Sequence, residues 1–128
     1  MNSFSKPRYI DGVSTGASIV GSALNIKGCS MVGFQLKWTG TPTGVWVVEV
    51  SYDGGLLTGQ QQGKDSPSLN IGWTPLTLTS AQIATYPAGS SGNTELTFLY
   101  QTANWIRLSY TRTSGTGTLK VAATGKSF

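Results

Sequence analysis

The most regular alternation of apolar and polar residues along the chain runs from Val32 to Tyr52. Every second residue is apolar on both sides of a short interruption, and this is the period of a strand that buries one face. The apolar positions are Val32, Phe34, Leu36 and Trp38 before the interruption, and Trp46, Val48, Val50 and Tyr52 after it. The interruption, Gly40–Gly44, has glycine at both ends and Pro42 in the middle, so it does not continue a strand. The pattern predicts two strands joined as a hairpin.

Weaker alternation elsewhere predicts further strands in Tyr9–Val13, Ser18–Ile26, Leu69–Leu78, Leu96–Tyr100, Ile106–Tyr110 and Leu119–Ala123. Pro75 restricts its strand to an edge or a bulge, and Thr79–Ala84 is predicted to form a single helical turn. About eight strands at these spacings predict an all-β fold, a single antiparallel two-sheet β-sandwich that is jelly-roll-like. The sandwich is expected to occupy residues 1–128, with residues 1–7 as an extended N-terminal arm because Pro7 disfavours helix.

Residues 53–68 form the one long stretch without a hydrophobic period. The stretch contains four glycines and three consecutive glutamines, Gln60, Gln61 and Gln62. Loops of more than about 12–15 residues are uncommon in compact domains and are often functional. We therefore expect a long polar loop that either carries function or is held by a partner.

Composition favours strands and limits the classes of partner. The chain has 128 residues, 17 glycines, a single cysteine and a net charge of +4 with only 11% charged residues. The basicity therefore reflects few acids, and no nucleic-acid partner is predicted. Cys29 has no intrachain disulfide partner and is predicted to be a small buried residue, which suits a reducing compartment. No stretch has the apolar length of a signal peptide core or a membrane span, so we expect a protein made in the cytoplasm with no membrane partner.

No catalytic or metal-binding constellation is predicted. The chain has no histidine, the commonest general base and transition-metal ligand. Glu49 and Asp53 are the nearest carboxylates, but four positions along a strand separate them by roughly 13 Å, wider than the spacing of about 6.5–9.5 Å in inverting glycosidases. Ser51–Gly55 begins like an Asp-box turn of sialidase propellers, yet Leu56 and Leu57 stand where Thr-Trp is expected, so a plain turn is favoured. We predict no enzyme activity, no cofactor and no metal.

The tryptophans divide into two groups by their phase along the strands. Trp38 and Trp46 carry the apolar phase and are predicted to lie in the core. Trp105 is out of phase with Ile106 and shares its face with Arg107. An exposed tryptophan beside an arginine suits sugar stacking or a protein interface, and packing under a neighbouring loop is the alternative.

Three pieces of the chain resemble small β-sandwich virion proteins of tailed bacteriophages, a group that includes capsid decoration (cement) proteins and head or tail fibre modules. The pieces are Phe34–Gly44 leading to Val48–Asp53, then Trp73–Leu76, then Trp105–Tyr110 with Ser114–Leu119. The resemblance spans residues 30–122 and implies a non-catalytic structural protein of the virion. The chain lacks a coiled-coil or collagen-like stalk, which favours a decoration protein over a fibre. The alternative is a carbohydrate- or receptor-binding β-sandwich module that would bind glycans through Trp105.

The partners implied by the resemblance are the major capsid protein or another virion protein, and further copies of the chain as a homo-oligomer. Four basic residues follow Glu95 without an acid, so a C-terminal hairpin is predicted to present a positive surface that steers docking. Apolar residues near the two termini are predicted to anchor the contact. The candidate interface residues are Phe4, Tyr9, Trp105, Arg107, Arg112, Lys120, Lys126 and Phe128.

Overall fold

The structure is a computed structural model that describes residues 3–52, 72–99 and 101–127. Within these ranges it contains nine strands and one short helix. The strands are β1 (Ser3–Ser14), β2 (Ile19–Val20), β3 (Leu24–Asn25), β4 (Met31–Gly40), β5 (Thr43–Ser51), β6 (Thr74–Pro75), β7 (Gly92–Leu99), β8 (Trp105–Ser114) and β9 (Gly117–Lys126), and the helix is α1 (Ser80–Ile83). The predicted loop 53–68 and residues 69–71 of the predicted Leu69–Leu78 strand lie outside the described residues.

The strands form two antiparallel sheets, which confirms the predicted all-β sandwich. Sheet A has four strands in the order β1-β9-β4-β7, and sheet B has five, with β2-β8-β5-β6 in line and β3 also paired to β8. Because β2 and β3 both pair with β8, they act as one interrupted strand. With that count the two sheet orders are those of an eight-stranded jelly roll. Its antiparallel pairs β1–β9, β2/β3–β8, β4–β7 and β5–β6 alternate between sheet A and sheet B.

The predicted hairpin between β4 and β5 is wrong, because the two strands lie in different sheets. β4 pairs with β7 and β9, whereas β5 pairs with β6 and β8. The same holds for β8 and β9, so the predicted C-terminal hairpin is also absent. Strands that face each other across a core show the same alternation as strands paired side by side, and the pattern alone does not separate the two cases.

Two of the connections that cross between the sheets, β4–β5 and β8–β9, lie side by side and form one corner of the sandwich. Gly40 pairs with Gly117, and the amide of Thr41 donates to the carbonyl of Thr116 over 2.8 Å. Gly40 and Gly115 have φ angles of +85° and +78°. A Cβ on Gly115 would collide with the carbonyl of Thr41, so glycine is required both by the backbone angle and by the close approach.

The core lies between the sheets and is built from the alternating residues of all the long strands. Its buried members are Ile10, Leu24, Ile26, Val32, Phe34, Leu36, Trp38, Trp46, Val48, Leu96, Phe98, Ile106, Leu108, Tyr110, Leu119, Val121 and Ala123. The rings of Trp38 and Trp46 meet edge to face across the core at 5.4 Å. The predicted core positions of both tryptophans are confirmed.

Residues 3–7 belong to the sandwich and are not an arm outside it. Ser3 pairs with Lys126 and Lys6 with Ala123, so the segment is the first part of β1. Pro7 falls in a break of the register between Lys6 and Ile10, where a residue without an amide proton is tolerated. The predicted helical turn is confirmed as α1, whose N-cap Thr79 forms a reciprocal capping box with Gln82.

Candidate functional site

The outer face of sheet A is polar and carries three exposed lysines. In β4 and β9 the buried residues alternate with exposed ones, so Lys37, Lys120 and Lys126 point outward. Threonines separate them, including Thr39 and Thr118, whose hydroxyls are 2.8 Å apart. We call the surface formed by Lys37, Lys120 and Lys126 with these threonines the cationic face.

The centre of the cationic face is a pair of like charges. Lys37 lies directly opposite Lys120 across the β4–β9 ladder. Asp11 is opposite Lys120 on the other side, in β1, and Glu95 lies one row away in β7. Like charges directly opposite each other destabilise a sheet by a fraction of a kcal/mol, about 0.2–1. An acidic partner bound over Lys37 and Lys120 would offset the repulsion between them.

Arg107 lies on the outer face of sheet B, and its charge is already paired. Its Nε donates to Glu49 Oε1 over 2.9 Å, and its guanidinium lies 4.3 Å from the centre of the Trp73 ring. Both contacts follow from the fold, because Glu49 is opposite Arg107 in the β5–β8 ladder and Trp73 adjoins β6 at the edge of the same sheet. Glu49 and Trp73 could not be predicted from the sequence as partners of Arg107, because these contacts join distant parts of the chain.

Trp105 and Arg112 occupy the two ends of β8. Trp105 is half-buried and pairs with Asn25 on one side and Ser51 on the other. Arg112 donates from Nε to the carbonyl of Gly115 over 3.0 Å and so supports the corner. Arg107 and Arg112 are therefore on sheet B while Lys120 and Lys126 are on sheet A, and the four basic residues do not form the single positive hairpin surface that was predicted.

Tyr9 links β1 to sheet B through hydrogen bonds. Its hydroxyl donates to the carbonyl of Ser22 over 2.5 Å and accepts from the amide of Leu108 over 3.1 Å, and its ring is 5.8 Å from that of Phe34. The hydroxyl thus fills the gap where the sheet-B edge is interrupted between β2 and β3. Burial raises the pKa of Tyr9, although the Leu108 amide and the Arg107 charge act in the opposite direction.

The other two predicted apolar anchors are Phe4 and Phe128, and the structure describes only the first of them. Phe4 is half-buried and packs on the core, with its ring against Gly125. Phe128 lies outside the described residues. Phe4 and Tyr9 therefore make contacts within the sandwich. Of the candidate interface residues that the structure describes, only Lys120 and Lys126 lie together on the cationic face. Lys37 also lies on the cationic face but was not predicted as an interface residue. Its exposure could have been predicted, since alternation placed it on the polar side of its strand.

Neither a metal centre nor a membrane-spanning helix is found in the part of the chain that the structure describes. No three His, Cys, Asp or Glu side chains in it come together as metal ligands. No helix in it has the length and apolar character to cross a bilayer.

Comparisons with known proteins give weak similarities to viral particles. No family model and no curated protein matches the chain. Among solved structures, the chain is similar at 12% identity and a TM-score of 0.37 to a chain in the structure of the infectious bursal disease virus Gx strain, with 98% of this chain and 30% of that chain covered. A crystal structure of the infectious bursal disease virus VP2 subviral particle matches at 16% identity and a TM-score of 0.20, with 97% and 38% covered.

The chain thus spans about a third of the length of the viral chains it matches. Similarities at these TM-scores do not assign a function to it.

Proposed function

We propose that this chain is a non-catalytic structural protein of a virus particle, and more narrowly a decoration protein that binds the assembled capsid of a tailed bacteriophage. The jelly roll occurs in viral capsid proteins, and also in lectins and cupins. A fold shared by several functions does not choose among them, so the choice rests on the surface.

The observation that carries the proposal is the cationic face, with Lys37 directly opposite Lys120 at its centre. The face is one side of a regular sheet, so its charges are held at fixed spacings by the β4–β9 ladder. Charged surfaces of this kind steer association and fix the register of docking more than they supply affinity. The partner we propose is a repeating acidic surface of the assembled particle.

A repeating partner also explains how a polar face gives stable attachment. Binding to the assembled lattice but not to free subunits shifts the equilibrium toward the assembled state. If copies of the chain also contact one another on the lattice, each raises the effective concentration of the next. The protein would then stabilise the particle by mass action without contributing chemistry.

Charge reversal on the cationic face tests the proposal. Lys37→Glu and Lys120→Glu are each expected to weaken attachment to particles stripped of the protein, and the double variant by roughly tenfold or more, because like charges across an interface cost several kcal/mol. Attachment of the parent protein should weaken as salt is raised, and the double variant should lose most of that dependence. The matched control is Lys27→Glu, which makes the same charge change in the loop between β3 and β4.

Co-sedimentation with stripped particles measures the attachment. Equal binding by the parent, the double variant and the control would contradict the role of the cationic face. Binding to glycans with no binding to particles would instead favour the alternative, a carbohydrate-binding module.

A further inference from the structure

The four sheet edges of the sandwich differ sharply in how well they are protected against pairing with another strand. An edge strand exposes unpaired amide and carbonyl groups, and proteins commonly block such edges with short strands, bulges, prolines or charges. β2, β3 and β6 have two residues each, and β6 contains Pro75. β1 is long, but it has two breaks of register, Pro7, and the charged residues Lys6, Arg8 and Asp11.

The remaining edge, β7, has only one of these protections, the charge of Glu95. Gly92–Leu99 pairs with β4 in an unbroken register and contains no proline. Its other side pairs with no strand among the described residues. Its outward side chains are exposed along the whole strand, and Leu99 retains 47% of its accessible surface. Glu95 is its single charged residue.

We propose that β7 is the site at which two copies of this chain associate, by antiparallel pairing of β7 with β7 so that sheet A continues from one copy into the other. A two-fold interface requires a self-complementary surface, since each residue meets its own strand in the partner. The pairing must also keep outward side chains opposite outward side chains, which restricts the register to every second residue.

The charge of Glu95 selects among the allowed registers. Pairing centred on Glu95 would place two carboxylates directly opposite each other, which is unfavourable. Pairing centred on Leu96 instead places Glu95 opposite Thr97 of the second copy. This register also pairs Asn93 with Leu99 and so uses nearly the whole strand, whereas pairing centred on Thr97 shortens the overlap. Within one copy the Thr97 hydroxyl donates to Glu95 Oε1 over 3.3 Å, so this carboxylate already accepts a hydrogen bond from a threonine hydroxyl.

Substitutions at Thr97 test both the site and the register. Thr97→Glu would place a second carboxylate opposite Glu95 of the other copy, twice per dimer by symmetry, and is expected to weaken self-association about fivefold or more. Thr97→Lys would place an ammonium group there and is expected to strengthen it, with the gain reduced by salt. Thr124→Glu is the matched control, because Thr124 is exposed on the outer face of the same sheet but lies on β9, two strands from this edge.

Sedimentation velocity of the purified protein over a range of concentrations, without particles, measures the association. We expect a monomer–dimer equilibrium in the parent and in Thr124→Glu, weaker in Thr97→Glu and stronger in Thr97→Lys. A parent protein that stays monomeric throughout the range, or Thr97 variants that shift association in the same direction, would overturn the inference. Circular dichroism of each variant checks that the sandwich as a whole remains folded. The result does not depend on attachment to particles, so it stands or falls separately from the proposed function.

Discussion

At the scale of single residues, the half-buried Tyr9 and the buried Tyr110 show how differently the same hydroxyl is used. The hydroxyl of Tyr9 has two backbone partners, the carbonyl of Ser22 and the amide of Leu108. The hydroxyl of Tyr110 is buried without a hydrogen-bond partner among the described residues. Removing a partnered hydroxyl leaves a buried donor unsatisfied, whereas removing an unpartnered one does not.

We therefore expect Tyr9→Phe to lower the free energy of unfolding by about 1–3 kcal/mol, because the Leu108 amide loses its acceptor. Tyr110→Phe should change it by less than about 0.5 kcal/mol, since no bond is lost. Urea titrations of the two variants, which differ from the parent by the same single atom, measure both values. A larger loss for Tyr110→Phe than for Tyr9→Phe would contradict the structural role assigned to Tyr9.

At the scale of elements, the corner between the sheets depends on glycine. We expect Gly115→Ala to lower the free energy of unfolding by about 3 kcal/mol or more, because the added methyl group meets the Thr41 carbonyl in addition to the backbone strain. Gly72→Ala is the control, since Gly72 also has a positive φ of 75° but nothing within 4 Å of an added Cβ. It should lose only about 1–2 kcal/mol, the cost of a left-handed conformation. Equal losses in thermal or denaturant unfolding would show that the corner is not closely packed.

The elements also show what the sequence could predict and what it could not. Alternation correctly placed Phe34, Trp38 and Trp46 in the core, because it reports directly which side of a strand is buried. It could not tell that β4 and β5 enter different sheets, since glycine and proline mark a sheet-crossing corner as readily as a hairpin turn. The choice depends on pairing with β8 and β9, which are distant in sequence.

For the candidate site too, the sequence predicts which side chains point outward but not which of them lie next to each other. The outward positions of Lys37 and Lys120 could be predicted from alternation, but their direct opposition depends on the β4–β9 register. The assignment of Tyr9 and Arg107 to an interface depended on treating them as exposed residues. Their contacts with Leu108 and Glu49 join segments that are far apart in the sequence, and no local pattern reports them.

At the scale of the whole molecule, the two proposed contacts, with the particle and with a second copy, use different surfaces of the sandwich. The cationic face lies on the outer side of sheet A, and β7 forms one edge of that same sheet. Copies that pair through β7 would place their cationic faces on one continuous sheet, so that both could meet an acidic lattice together. Attachment to the particle and association between copies are therefore geometrically compatible, and the two proposals can be tested apart.

A chain that is a structural component of a viral particle, attached to its head as we propose, is found among the proteins of purified particles. The measurement that tests this proposal most directly is quantitative mass spectrometry of purified phage particles after separation into heads and tails. We expect the chain in the head fraction, at a copy number that scales with that of the major capsid protein, and we expect high salt to release it from heads. Absence from purified particles, or presence in tails alone, would contradict it.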